Sequence, residues 1–86
     1  MPEISRFFGI IITINFFDHA PPHFHARYGD QTVSIAILDL AILQGNMRPR
    51  ALALVMEWAA LHQTAILVDW ERAANGEPVL PIPPLA

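Results

Sequence analysis

The stretch "HFHARYGDQTVSIA", His23 to Ala36, decides the fold. Two alternating runs flank Gly-Asp, and a two-residue connection with glycine first is a hairpin signal. The turn sets a register. His23 faces Ala36, Phe24 faces Ile35, His25 faces Ser34, Ala26 faces Val33, Arg27 faces Thr32 and Tyr28 faces Gln31. Side chains alternate between sheet faces along a strand. One face therefore collects Phe24, Ala26, Val33 and Ile35. The other collects His23, His25, Arg27, Thr32, Ser34 and Ala36. A slip of one residue would mix the two sets, so the clean separation supports the pairing.

Upstream, Ile4 to Phe17 is read as one strand, because Ile10, Ile12, Ile14 and Phe16 alternate with Ile11, Thr13 and Asn15. "DHAPP", Asp18 to Pro22, stops it, since proline cannot donate to a ladder. Downstream, a bend at Asp39 leads to a short strand near Ala41–Leu43 and a turn at Gly45-Asn46. From Pro49 to Ala74 the spacing changes to steps of three and four, as in Leu54, Trp58, Leu61, Ala65 and Val68. Pro49 suits a first helical turn and Asn75-Gly76 a helix end. The expected fold is α+β: an antiparallel β-meander of three to four strands, with one long C-terminal helix on the Ile12, Phe24, Ile35 face. A kink near Thr64 would divide that helix. Residues 1–76 form the domain, and 77–86 a proline-rich, extended tail.

The chain has 86 residues, 53% of them hydrophobic, and a formal net charge of -3. A domain this small cannot bury all of that apolar surface, so a homo-oligomer or a protein partner is expected. It has no cysteine and no lysine; its cations are Arg6, Arg27, Arg48, Arg50 and Arg72. Thiolate metal sites and disulfides are excluded. Nucleic-acid binding by an acidic, lysine-free domain is disfavoured, because phosphate contacts come largely from Lys and Arg. No signal peptide and no membrane span are read, and a cytoplasmic location is the expectation.

Chemistry concentrates in "FFDHAPPHFHARYG", Phe16 to Gly29, where His19, His23 and His25 lie within seven residues. His23 and His25 project from one strand face about 7 Å apart. With Asp18 or His19 as a third ligand, they suit a zinc-like ion. They also suit metal-free acid–base work, with Arg27 holding an anion. The plainer alternative is a stiffened turn whose imidazoles pair with Ser34 and the backbone. His23, His25 and Arg27 are thus catalytic candidates. Asp18, His19, His23 and His25 are metal candidates, with no cofactor as the base expectation and a divalent metal such as zinc as the alternative. Arg48 and Arg50, at the start of the helix, are anion-binding candidates, because free N–H groups and two guanidinium groups would converge there. His62, Trp58 and Trp70 read as packing residues.

Four segments, "ISRFFGI" (4–10), "FFDHAPPHFHARYGD" (16–30), "RALALVMEWAALH" (50–62) and "DWERAANGEP" (69–78), resemble the bacterial domain-of-unknown-function family 4160. The resemblance implies a small stand-alone protein, often encoded beside a second small protein in an arrangement like a toxin–antitoxin pair. It carries no established activity. Asp18, His23, His25, Tyr28 and Gly29 are the motif positions it marks. The first functional expectation is therefore a protein-binding component of a two-gene, toxin–antitoxin-like module. The alternatives are a small His-dependent phosphodiesterase or ribonuclease, and a transcriptional regulator contacting nucleic acid.

Overall fold

In the computed structural model, which describes residues 2–86, seven elements follow in order. They are β1 (Glu3–Phe7), β2 (Ile10–Thr13), β3 (His23–Tyr28), β4 (Gln31–Ala36), β5 (Ile42–Gly45), α1 (Pro49–Leu61) and α2 (Gln63–Ala74). The strands form one antiparallel meander in sequence order. All six β3–β4 pairs expected from the Gly29-Asp30 turn are present. The sorting of faces follows from them. Phe24, Ala26, Val33 and Ile35 are buried, and Phe24 lies edge-on to Trp58 of α1 with ring centroids 5.9 Å apart. The core adds Ile4, Ile10, Ile12, Val55 and Ile66 to these residues.

Two details of the expected fold are corrected. The sheet has five strands, because Ile4–Phe17 is not one strand. It folds back at Phe8-Gly9, pairing Phe7 with Ile10. Both turn residues have positive φ, 48° and 80°, which gives the twist that a two-residue hairpin requires. Phe8 disguises the turn by continuing the apolar run. The single long helix is two helices bent by 85°, and the break falls at His62, not at Thr64. His62 leaves helical geometry at φ -124°, ψ 22°. Gln63 explains the departure: its Nε2 donates to the carbonyls of Ile37 (2.7 Å) and Leu38 (3.2 Å), tying the start of α2 to the turn that follows β4. No single helix among the described residues is long and apolar enough to cross a membrane.

The segment after α2 runs extended across the domain. Trp58 Nε1 donates to Pro83 O (2.9 Å), Ile82 N–H to Ile4 O (2.8 Å), and Leu80 N–H to Asp69 Oδ1 (2.8 Å). Ile82 is buried. The outer edge of β1 is thus in contact with the tail, whereas every residue of β5, the other edge strand, is exposed.

Candidate metal centre

β2 ends at Thr13, and the chain crosses to β3 through residues 14–22. The Ala20–Pro21 peptide within this connection is cis. Phe17 N–H donates to Ala73 O of α2 (3.2 Å), which anchors the connection on the helix. Asp18 follows at once. Its Oδ1 accepts the His19 backbone N–H at 2.8 Å, leaving Oδ2 directed at β3. There it meets His23 Nε2 at 3.0 Å and His25 Nε2 at 3.6 Å. The three ligand atoms of Asp18, His23 and His25 lie within 4.8 Å of one another.

Both imidazoles are held from behind. His23 Nδ1 lies 2.7 Å from Pro21 O. A carbonyl only accepts, so Nδ1 carries the proton and, in the neutral ring, Nε2 presents its lone pair. His25 Nδ1 lies 3.1 Å from Ser34 Oγ. Asn15 Nδ2 lies 3.4 Å from His25 Nε2; with the amide in this orientation Nε2 accepts and Nδ1 donates to Ser34, whose hydroxyl can equally donate to Nδ1 in the other tautomer. An imidazole oriented through its far nitrogen is the usual arrangement around a metal ligand. The β3–β4 register places Ser34 directly opposite His25.

The surroundings are partly dry. His23 is buried, with Trp70 of α2 against its ring at 5.1 Å and the His25 ring edge-on at 5.0 Å. Parity places His23 on the face opposite Phe24, and it is buried there because Trp70 reaches over it. Burial, and then the charge of His23, hold the His25 pKa below the ordinary histidine value, so its ring is neutral near pH 7. Burial pushes Asp18 upward, but the His19 N–H, the Asn15 amide and the charge of His23 outweigh it, and its pKa falls below the ordinary value. A carboxylate and a neutral imidazole are the forms a cation requires. The cluster opens into a cleft that Leu43 and Gln44 of β5 also line.

The remaining candidates are placed as follows. His19 stacks on His23 at 5.4 Å, but its side chain is 85% exposed and its Nε2 stands 3.7 Å from Asp18 Oδ1, at the rim. Arg27 is separated from the cluster. It lines an adjoining cleft on the same face with Arg6, Thr13 and Thr32, and His25 borders both clefts. Arg48 and Arg50 share a third cleft with Phe8, Tyr28 and Leu54 at the start of α1. No acidic residue occupies that first turn, and the Arg48 N–H is taken by Gln31 Oε1 at 2.9 Å. Tyr28 therefore belongs with the arginines, and Gly29 (φ 62°) is a turn residue. Asn15 was not singled out in the sequence. The one signal for it was its parity with Thr13, which faces His25 across the ladder.

The family model described as "Domain of unknown function (DUF4160)" matches residues 9–71. The chain belongs to that family. No curated protein and no solved structure matches it. The matched segment contains Asn15, Asp18, His19, His23 and His25, so the whole cluster lies inside the DUF4160 domain.

Proposed function

We propose that this DUF4160 chain is a divalent-metal-binding protein whose Asp18, His23 and His25 hold one first-row ion such as zinc. One observation carries the reading. Two imidazole Nε2 atoms, each ring bonded through Nδ1 to the Pro21 carbonyl or the Ser34 hydroxyl, converge on one carboxylate oxygen at 3.0 and 3.6 Å. Ligands about 2.0–2.1 Å from a tetrahedral zinc ion are separated by about 3.3 Å. The ion would join the connection after β2 to β3, so metal binding and local order are linked. Metal-free acid–base catalysis is the weaker reading, because the cation that would hold the substrate anion, Arg27, lines the neighbouring cleft. The net charge of -3 and the absence of lysine weigh against a nucleic-acid partner. The test is calorimetric titration of the metal-free protein with zinc, beside native mass spectrometry. One bound ion, lost in Asp18→Ala and His23→Ala, is expected. Wild-type protein that gains no zinc mass would end this reading.

A second reading rests on the unpaired edge of β5, where Ile42 and Leu43 are exposed, with Leu38 exposed nearby. An open apolar edge strand is a template for pairing. A second copy of the chain docked there meets the expectation of a homo-oligomer, and a small protein partner would use the same edge. Sedimentation of wild type and Leu43→Lys tests it. A monomeric wild type, or a dimer untouched by the lysine, would count against it.

A further inference from the structure

Four side-chain ends, not three, surround the proposed ion. Asn15 Nδ2 lies 3.3 Å from Asp18 Oδ2 and 3.4 Å from His25 Nε2. The other end of the same amide, Oδ1, is buried and has no hydrogen-bond partner. Buried polar atoms without a partner are uncommon, and each calls for a reason. The two ends of an asparagine amide have nearly the same size, and a half-turn about Cβ–Cγ exchanges them.

We infer that Asn15 supplies the fourth ligand, its carbonyl oxygen turning in to meet the ion as the NH2 group takes the buried place that Oδ1 now holds. This rests on the three-ligand reading above. After the half-turn Oδ1 takes the place of Nδ2. The known separations among the four ligand atoms are then 3.0, 3.3, 3.4 and 3.6 Å. These are four of the six edges of a tetrahedron, and they bracket the edge of about 3.3 Å expected for zinc, while the fifth, between the two imidazole nitrogens, is bounded at 4.8 Å. Each orientation has its own reason. Without an ion, the amide hydrogens sit between a carboxylate oxygen and an imidazole lone pair, putting partial positive charge where the cation goes. With an ion, the oxygen gains the ion as its partner, and the NH2 group moves to the buried position the oxygen leaves.

The donor set becomes two imidazole nitrogens, one carboxylate and one neutral amide oxygen. All four vertices of a tetrahedral ion are then taken by protein, as in structural rather than catalytic zinc sites. The neutral Asn15 oxygen is the weakest of the four, so an external anion or water would reach the ion by displacing it.

Cobalt(II) is the probe, because its visible spectrum reports coordination. Full-length wild-type protein loaded with cobalt should give a four-coordinate spectrum that does not change between about pH 6.5 and 9. In Asn15→Ala a water fills the vacant vertex, and metal-bound water ionises near neutral pH in such sites. The variant's spectrum should therefore titrate, and its zinc affinity should fall by about tenfold or more. Asn15→Asp should bind zinc more tightly than Asn15→Ala and restore a pH-independent spectrum. Equal zinc affinities for wild type and Asn15→Ala, or a wild-type spectrum that titrates like the variant's, would overturn the assignment while leaving the three-ligand site standing. Wild-type protein that takes up neither zinc nor cobalt would remove both. Should Asn15→Ala not fold, the side-chain 15NH2 signals of Asn15 in wild-type protein decide the matter. They should shift on zinc addition, and unmoved signals would overturn the inference.

Discussion

His23 Nε2 stands 3.0 Å from Asp18 Oδ2 while the other nitrogen of the ring is committed to the Pro21 carbonyl at 2.7 Å. A neutral imidazole so held would point a lone pair at a carboxylate. The contact therefore calls for a positive species between the two atoms, either a proton or a metal ion. His25 Nε2 approaches the same oxygen at 3.6 Å, with the Ser34 hydroxyl at its Nδ1 able to donate or accept, so the His23 contact is the one that the proposed ion would explain.

Zinc should stabilise the fold by a predictable amount. Free ligand at 100 times its dissociation constant contributes about 2.7 kcal/mol, which for a domain of this size is a rise in Tm of about 10–20 °C. Asp18→Asn keeps a side chain of the same shape and gives His23 Nε2 a hydrogen-bond donor. The metal-free variant should melt somewhat below metal-free wild type at neutral pH, because the lowered pKa of Asp18 means that its carboxylate stabilises the fold, and it should show little response to zinc. Thermal melts with zinc and with chelator measure both quantities. A full zinc shift in Asp18→Asn would contradict the ligand role of Asp18.

The two faces of β3 should differ in what they contribute. Phe24 is fully buried against Trp58, so Phe24→Ala leaves a cavity and should cost about 3–5 kcal/mol. His25 on the opposite face is half-buried and bonded to Ser34, and in chelator His25→Ala should cost about 1 kcal/mol. Urea unfolding in chelator compares them. Equal costs would mean that the polar face also carries core packing.

This face assignment was legible in the sequence because the Gly29-Asp30 turn and the period of two agree at every pair from His23 to Tyr28. The approach of Asp18 to the histidines was legible only as proximity in the chain. Three features were not legible. Phe8 sits in a turn but reads as strand, since its apolar character continues the run. His62 ends a helix although no glycine or proline marks it, because the break is made by Gln63 reaching the turn after β4, a tertiary contact. His23 is buried because Trp70, 47 positions later in the chain, lies on it, and parity reports a face but not what covers that face.

Phe8 offers a test of the first of these. Its φ of 48° is left-handed, which costs a non-glycine residue roughly 1–2 kcal/mol, and the residue is 59% exposed. Asparagine tolerates that region, and Asn-Gly is the preferred pair for such hairpins. Phe8→Asn should stabilise the protein by about 0.5–1 kcal/mol, allowing for the loss of the edge contact with Phe7 at 6.5 Å. Chemical denaturation measures it. A clear loss of stability would show that the Phe8 ring contributes more through packing than its backbone costs.

Asp69 should make stability fall as pH rises. It is 1% exposed; Oδ1 accepts the Leu80 N–H and Oδ2 has no partner. Burial raises its pKa above the ordinary aspartate value of 3.8, and the Leu80 N–H and the charge of Arg72 offset only part of that rise. The folded protein therefore holds this proton more tightly than the unfolded chain does. The contribution is full below pH 3.8 and is lost as pH climbs through the raised folded value, above which a buried carboxylate is ionised. Asp69→Asn keeps an oxygen for Leu80 and carries no charge to bury. The stability of the variant relative to wild type should thus increase from about pH 4 upward and level off once wild-type Asp69 is fully ionised. Urea unfolding of both proteins in chelator, at a series of pH values, gives that difference directly. Other titrating groups are common to both proteins and largely cancel, so a difference that stays constant across the series would show that Asp69 ionises in the folded protein at its ordinary value.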